Sequence, residues 1–292
     1  MKGPQLLSFL LPNRSRPLLQ VLLFWLLFLI LLFVGAILFT RDLEGALNRY
    51  VYGAIGTVAA LLATAVLLKM SKWSWIDAGL RWDHYSAMRF IAGFAAGLAL
   101  VGVILLLVFL HSGIRPVPAD GLSAATLLPL GALLLLALME EIAFRGSPFA
   151  QLQRQYGLWV AQLTTALAFA VYHVLMGWPL VMALIGPGTW AFVFGIAAAR
   201  TGGIALPTGI HFGLNVAQAL VGLGTATASV TAFQLADANG LIGGSIAERT
   251  TPAGLAAQAL FLGIALFLTY QLAKRTAVGF GKASKVSKIG RR

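Results

Sequence analysis

Long apolar runs, separated by short polar stretches, dominate the chain. A helix needs about 20 mainly apolar residues to cross a bilayer. Eight segments come near or exceed that length: Leu18 to Phe39, Val51 to Leu68, Phe90 to Leu110, Leu122 to Phe144, Trp159 to Met176, Leu180 to Ala199, Ile204 to Gly222 and Leu255 to Leu272. The predicted fold class is all-α, a polytopic membrane protein with about eight transmembrane helices. In the sixth segment the run Gly186, Pro187, Gly188 argues for a loop followed by a shorter helix from Thr189, because both residue types interrupt helices. No repeat of fixed period stands out, and no polar stretch is long enough to fold alone. The expected organisation is one membrane domain, with N-terminal helices over 1–121, a core over 122–222, and an outer loop, a last helix and a basic tail over 223–292. Lys2, Arg14 and Arg16 precede a first apolar run of more than 20 residues, which is too long for a signal-peptide core and reads as a retained helix.

Composition supports a membrane solvent: 59% of residues are hydrophobic and only 10% charged, outside the balance of soluble domains. Lys and Arg accumulate in cytoplasmic loops. With eight spans and both termini cytoplasmic, 17 of the 21 basic residues fall inside, and only Arg41, Arg49, Arg115 and Arg249 fall outside. The net charge of +12 therefore reflects topology and the tail from Lys274 to Arg292, and nucleic acid is not an expected partner. Membrane lipids are, since each basic residue near anionic headgroups adds about 1 kcal/mol of attraction. The absence of cysteine excludes disulfides, thiolate metal sites and a cysteine nucleophile. A cysteine-free chain rich in Ala and Gly points to a prokaryotic cell membrane.

Of the nine acidic residues, only Glu140 and Glu141 lie within a predicted span. A charge there costs roughly 2.5–3.5 kcal/mol on insertion scales and usually marks function. Glu141 stands four residues before Arg145, so the two can pair along one helix face. Glu140 is turned about 100° away, which makes it the freer carboxylate and the better general base. The same three residues would also serve a capping network at the inner end of the helix.

Two of the four histidines, His173 and His211, fall in predicted spans, while His84 and His111 fall in loops. A lone buried histidine is more often a packing residue, but two on separate spans, with a free carboxylate on a third, suggest a site. Phe169 lies one turn before His173, and Asn215 one turn after His211. Pro207 suits a first helical turn and would put His211 near the inner end of its helix. Gly93 with Gly97, and Gly209 with Gly213, have the spacing that lets helices approach closely; ordinary packing explains the first pair. Depth opposes a meeting of His173 with Glu140, because His173 is 14 residues after Trp159, about 21 Å along a helix.

The three phrases Glu140-Glu141-x-x-x-Arg145, Phe169-x-x-x-His173 and His211-x-x-x-Asn215 resemble the motifs of CAAX-type intramembrane endopeptidases, the CPBP or ABI family that includes the prenyl-protein endopeptidase of the endoplasmic reticulum. The resemblance covers roughly Leu122 to Gly222. It implies hydrolysis of a peptide bond in a membrane-associated protein or peptide that enters from the cytoplasmic side. Glu140 and His173 would activate water, His211 and Asn215 would stabilise the oxyanion, and Glu141, Arg145 and Phe169 would support them. A divalent metal such as zinc, held by Glu140, His173 and His211, is the other use of the same residues. The zincin pattern of two histidines one turn apart is absent. The metal-free mechanism is preferred, since Asn215 suits an oxyanion better than it suits zinc. Two other classes stay open: an ion-coupled transporter, for which inverted repeats would be expected, and a non-catalytic membrane maturation or immunity partner.

Overall fold

The computed structural model describes residues 16–112, 115–118, 124–221, 233–237, 240–241 and 252–289. The helices are α1 (Arg16–Phe39), α2 (Gly45–Ser71), α3 (Ser86–Ser112), α4 (Ala124–Arg145), α5 (Ser147–Tyr156), α6 (Leu158–Leu175), α7 (Leu180–Thr201), α8 (Ala205–Leu220) and α9 (Pro252–Ile289). Among the described residues, seven stretches are long and apolar enough to cross a membrane, and the protein is an integral membrane protein. The lipid-facing side is as apolar as the core. On α1, Val21, Phe24, Phe28 and Leu32 are buried while Leu22, Leu26, Ile30 and Val34 are exposed, the pattern of a helix whose solvent is lipid on one side and protein on the other.

Two expectations about the spans are corrected. The seventh predicted span, Ile204 to Gly222, becomes α8, which has only 16 residues and is too short to count by length. Its middle is buried by other helices, so it needs less apolar length of its own. The Gly186-Pro187-Gly188 run does not open a loop. It sits in a π-helical turn, Leu184–Gly188, that joins the two halves of α7. A π turn moves the backbone bond to a residue one further back, which lets a proline stay inside a continuous helix.

Helices α3 and α8 make the closest approach in the bundle, and the two glycine pairs cause it. A methyl group at Gly93 would strike the carbonyl oxygen of Leu206, at Gly97 that of Ile210, at Gly209 that of Phe90 and at Gly213 that of Phe94. Backbone therefore lies on backbone, and both pairs belong to one interface. Residues two apart on a helix are turned about 200°, so clamping Gly209 and Gly213 against α3 aims His211 and Asn215 away from it, toward α4.

The depth conflict is resolved by α5. Helix α4 ends at Arg145, but the chain continues through α5 to Tyr156 before turning at Gly157, whose φ is +89°. Glu140 is sixteen residues before Tyr156 and His173 fifteen after Leu158, so both stand at nearly the same chain distance from the turn. Glu140 is thus not at an inner helix end but well inside the bundle.

Gln151 of α5 donates to the Pro17 carbonyl at 3.3 Å and to Gln20 at 2.6 Å. Gln162, near the start of α6, donates to Thr269 Oγ1 at 3.2 Å and to the Phe192 carbonyl at 3.1 Å. The start of α1 and the later part of the span in α9 therefore share one end of the bundle. That end also carries two ion pairs: Arg154 with Asp77 at 2.9 Å, exposed, and Arg89 with Asp83 at 3.1 Å, partly buried. At the other end, β1 (Arg115–Pro118) pairs antiparallel with β2 (Phe233–Asp237), Arg115 opposite Ala236, and β2 continues to β3 (Gly240–Leu241). Part of the predicted outer loop is thus an ordered ribbon, while its remaining residues lie outside those described. His111 stands in the last turn of α3 rather than in a loop, its Nδ1 2.9 Å from the Leu107 carbonyl.

Candidate active site

Glu141 and Arg145 lie on one face of α4, as their spacing predicts, with Arg145 Nη1 3.5 Å from Glu141 Oε1 and both side chains at 0% exposure. The guanidinium carbon sits 4.3 Å from the Phe169 ring centre and 5.0 Å from that of Phe194. A cation over aromatic faces is stabilised by the ring quadrupole, more so when water is excluded. Phe169 therefore supports the site as a stacking surface for Arg145, besides marking the turn before His173. The Trp25 indole N–H donates to the Ala143 carbonyl at 3.0 Å and fastens α1 to this part of α4.

His211 links both carboxylates. Its Nδ1 is 2.8 Å from Glu141 Oε1, and its Nε2 is 3.5 Å from Glu140 Oε2. Phe194 stacks on the imidazole with centroids 4.6 Å apart and planes 15° apart. Glu140, at 12% side-chain exposure, and His211, at 8%, are more open than the ion pair behind them.

His173 is held differently. Its Nδ1 lies 2.8 Å from the Phe169 carbonyl. A carbonyl oxygen can only accept, so Nδ1 carries the hydrogen and the neutral ring keeps its lone pair on Nε2. The edges of Phe169, Tyr172 and Trp178 surround the ring at centroid distances of 4.6, 5.3 and 5.4 Å. His173 is near enough to Glu140 to feel its charge, though the two share no hydrogen bond among the described residues. Asn215, one turn beyond His211, is half-buried and has no hydrogen-bond partner among the described residues.

The structure thus brings Glu140, Glu141, Arg145, Phe169 and His211 into one connected cluster, with His173 beside it and Asn215 on the same face of α8 as His211. Sequence spacing missed the Glu141–His211 bond, because the two are 70 residues apart. It also missed Phe194, for which no pattern gives a signal, and a pair of phenols. The Tyr52 hydroxyl from α2 lies 3.1 Å from Met176 Sδ and near the Tyr172 hydroxyl. The one hint of Tyr52 in the sequence is a hydroxyl inside an apolar span.

A metal would need Glu140 and the Nε2 atoms of both histidines, because Nδ1 of each is engaged. Among the described residues no three His, Asp or Glu side chains gather closely enough to hold an ion. The chemistry below is derived from the chain's own groups.

Residues 122–217 match the model of a family described as type II CAAX prenyl endopeptidase, Rce1-like. No curated protein matches the chain. The matched stretch runs from the start of α4 into the last turn of α8 and contains Glu140, Glu141, Arg145, Phe169, His173, His211 and Asn215. Over this segment, about a third of the chain, the protein is similar to the CAAX-protease-like family of membrane endopeptidases.

Proposed function

We propose that the protein is an intramembrane endopeptidase in which Glu140 and His173 activate a water molecule for attack on a peptide carbonyl. One observation carries this reading: a partly open carboxylate, Glu140, faces His211 Nε2 at 3.5 Å inside the bundle, while a second imidazole beside it has its Nε2 lone pair free.

Glu140 accepts a proton from water as the oxygen bonds to the carbonyl carbon, with the neutral Nε2 of His173 as a second acceptor for that water. The carbonyl oxygen becomes an oxyanion. The side-chain amide of Asn215 and a protonated Nε2 of His211 donate to it, as preorganised groups aimed at developing charge. Glu140 then passes its proton to the leaving amine as the C–N bond breaks. The substrate is a membrane-associated protein or peptide. It enters from the end that carries Arg81, Arg89, Arg154 and Arg200, which the positive-inside rule assigns to the cytoplasm.

The test uses purified full-length protein in proteoliposomes, with membrane-anchored peptides that do or do not carry a C-terminal prenylcysteine, each with and without a chelator. Cleavage by wild type that is lost in Glu140→Gln and His173→Gln supports the reading. Equal cleavage by wild type and Glu140→Gln would refute it, and loss of activity on chelation would replace the metal-free step.

A further inference from the structure

Arg145 and Glu141 are the two charged groups that the proposed chemistry leaves unused, and neither has any exposure. Burying an ion pair is costly, and replacing one by apolar residues often stabilises a protein, so stability alone is a weak reason for this pair. Its geometry offers another. Glu141 Oε1 is 3.5 Å from Arg145 Nη1 but 2.8 Å from His211 Nδ1, so the shorter contact is to the imidazole. An ionised carboxylate can only accept, which means Nδ1 carries a hydrogen and donates it to Glu141.

The stacking on Phe194 cannot do the same work. It fixes the plane of the His211 ring at 15° to the phenyl, but a half-turn about χ2 returns the imidazole to that plane with its edges exchanged. Packing thus sets the plane, and the Glu141 bond decides whether Nε2 or Cε1 faces Glu140. Arg145 in turn stands over Phe169 and Phe194 at 4.3 and 5.0 Å and lies 3.5 Å from Glu141.

We propose that Glu141 is a positioning residue that grips His211 through Nδ1–H and so aims Nε2 at the Glu140 side of the site, with Arg145 acting only through Glu141. This rests on the peptidase reading for its effect on turnover, but not for the state of the imidazole itself.

The test has two arms, both on the full chain. In the first, ¹⁵N spectra of histidine-labelled protein are compared with those of His211→Asn, which assigns the His211 signals. A protonated Nδ1 on His211 in wild type, lost or shifted in Glu141→Gln, is the expected result; an unprotonated Nδ1 in wild type would overturn the proposal whether or not any peptide is cleaved. In the second, a peptide cut by wild type is used to compare Glu141→Gln and Arg145→Lys. The expected kcat falls about 10- to 100-fold in Glu141→Gln, as for partners that orient a functional imidazole elsewhere, with KM within about twofold. Arg145→Lys keeps a cation beside Glu141 and shows a smaller fall in kcat than Glu141→Gln. A kcat per folded molecule equal to wild type in Glu141→Gln would show a merely structural role. If no peptide is cleaved by wild type, the peptidase reading falls while the spectra still decide the positioning.

Discussion

The same pairing of carboxylate and guanidinium occurs in two places, and the surroundings make them opposites. At the loop end of the bundle, Arg154 meets Asp77 at 2.9 Å with side chains 50% and 38% exposed. Inside, Arg145 meets Glu141 at a longer 3.5 Å with no exposure. The outer pair has better geometry and little consequence, since exposed pairs are screened by water and contribute little. The inner pair has poorer geometry and a high cost, and it lies against the one imidazole that touches both glutamates. A buried charge kept at such cost, beside groups able to move protons, is what separates a working site from a solubilising surface.

The sharpest break of this contrast is Glu140→Gln, which removes the proton acceptor but keeps the shape. Cleavage of a wild-type substrate is expected to fall by about 10²–10⁴-fold, the usual contribution of a general base, with the thermal unfolding of the purified protein unchanged. Next in size is Arg145→Met, which removes the buried cation beside Glu141 and leaves the carboxylate with the His211 bond. Loss of one partner of a buried pair costs about 3–5 kcal/mol, readable as a lower denaturation midpoint. The double variant Glu141→Leu with Arg145→Met is expected to recover most of that stability and none of the activity. Recovery of both would show that the inner pair is no more than scaffolding.

Gly213→Val tests how the site face is held. Its side chain would meet the Phe94 carbonyl, and overpacking of this kind costs about 1–3 kcal/mol. The prediction is a lower midpoint together with reduced kcat, because α8 must move and His211 moves with it. The smallest effect belongs to the outer pair. Asp77→Asn is expected to leave activity unchanged and to lower the unfolding midpoint only slightly, since exposed pairs contribute little.

The outer carboxylates also define a pH control. Hydrogen bonds from Ser74, then from Arg154, hold Asp77 at about 2, and the Arg81 side chain does the same for Asp83. A carboxyl depressed in the folded state contributes stability that is fully present above its ordinary value of 3.8 and is lost as pH falls through about 2. Neither group titrates between pH 5 and 8. A pH–rate profile in that window should therefore be identical in wild type and Asp77→Asn, and any bend in it belongs to the inner cluster.

Much of this was legible along the chain. Hydropathy located the spans, and helical spacing found the Glu141–Arg145 pair and set Glu140 apart from it. What the sequence hid was tertiary. A proline between two glycines reads as a break, yet a π turn carries it inside α7. The apparent depth of His173 came from ending the fourth span at Phe144, when α5 adds ten residues before the chain turns. The pairs Gly93 with Gly97 and Gly209 with Gly213 could be seen separately, but not that each is the other's partner. No local pattern announces that Glu141 has a second neighbour 70 residues away, because helices meet through packing and not through spacing.

The central claim is that Glu140 activates water rather than attacking the substrate itself. A single turnover in ¹⁸O-labelled water, with enzyme in excess over a cleaved peptide, tests it directly. The account predicts one ¹⁸O atom in the new C-terminal carboxylate from the first turnover; an unlabelled first product, with ¹⁸O recovered in Glu140, would contradict it.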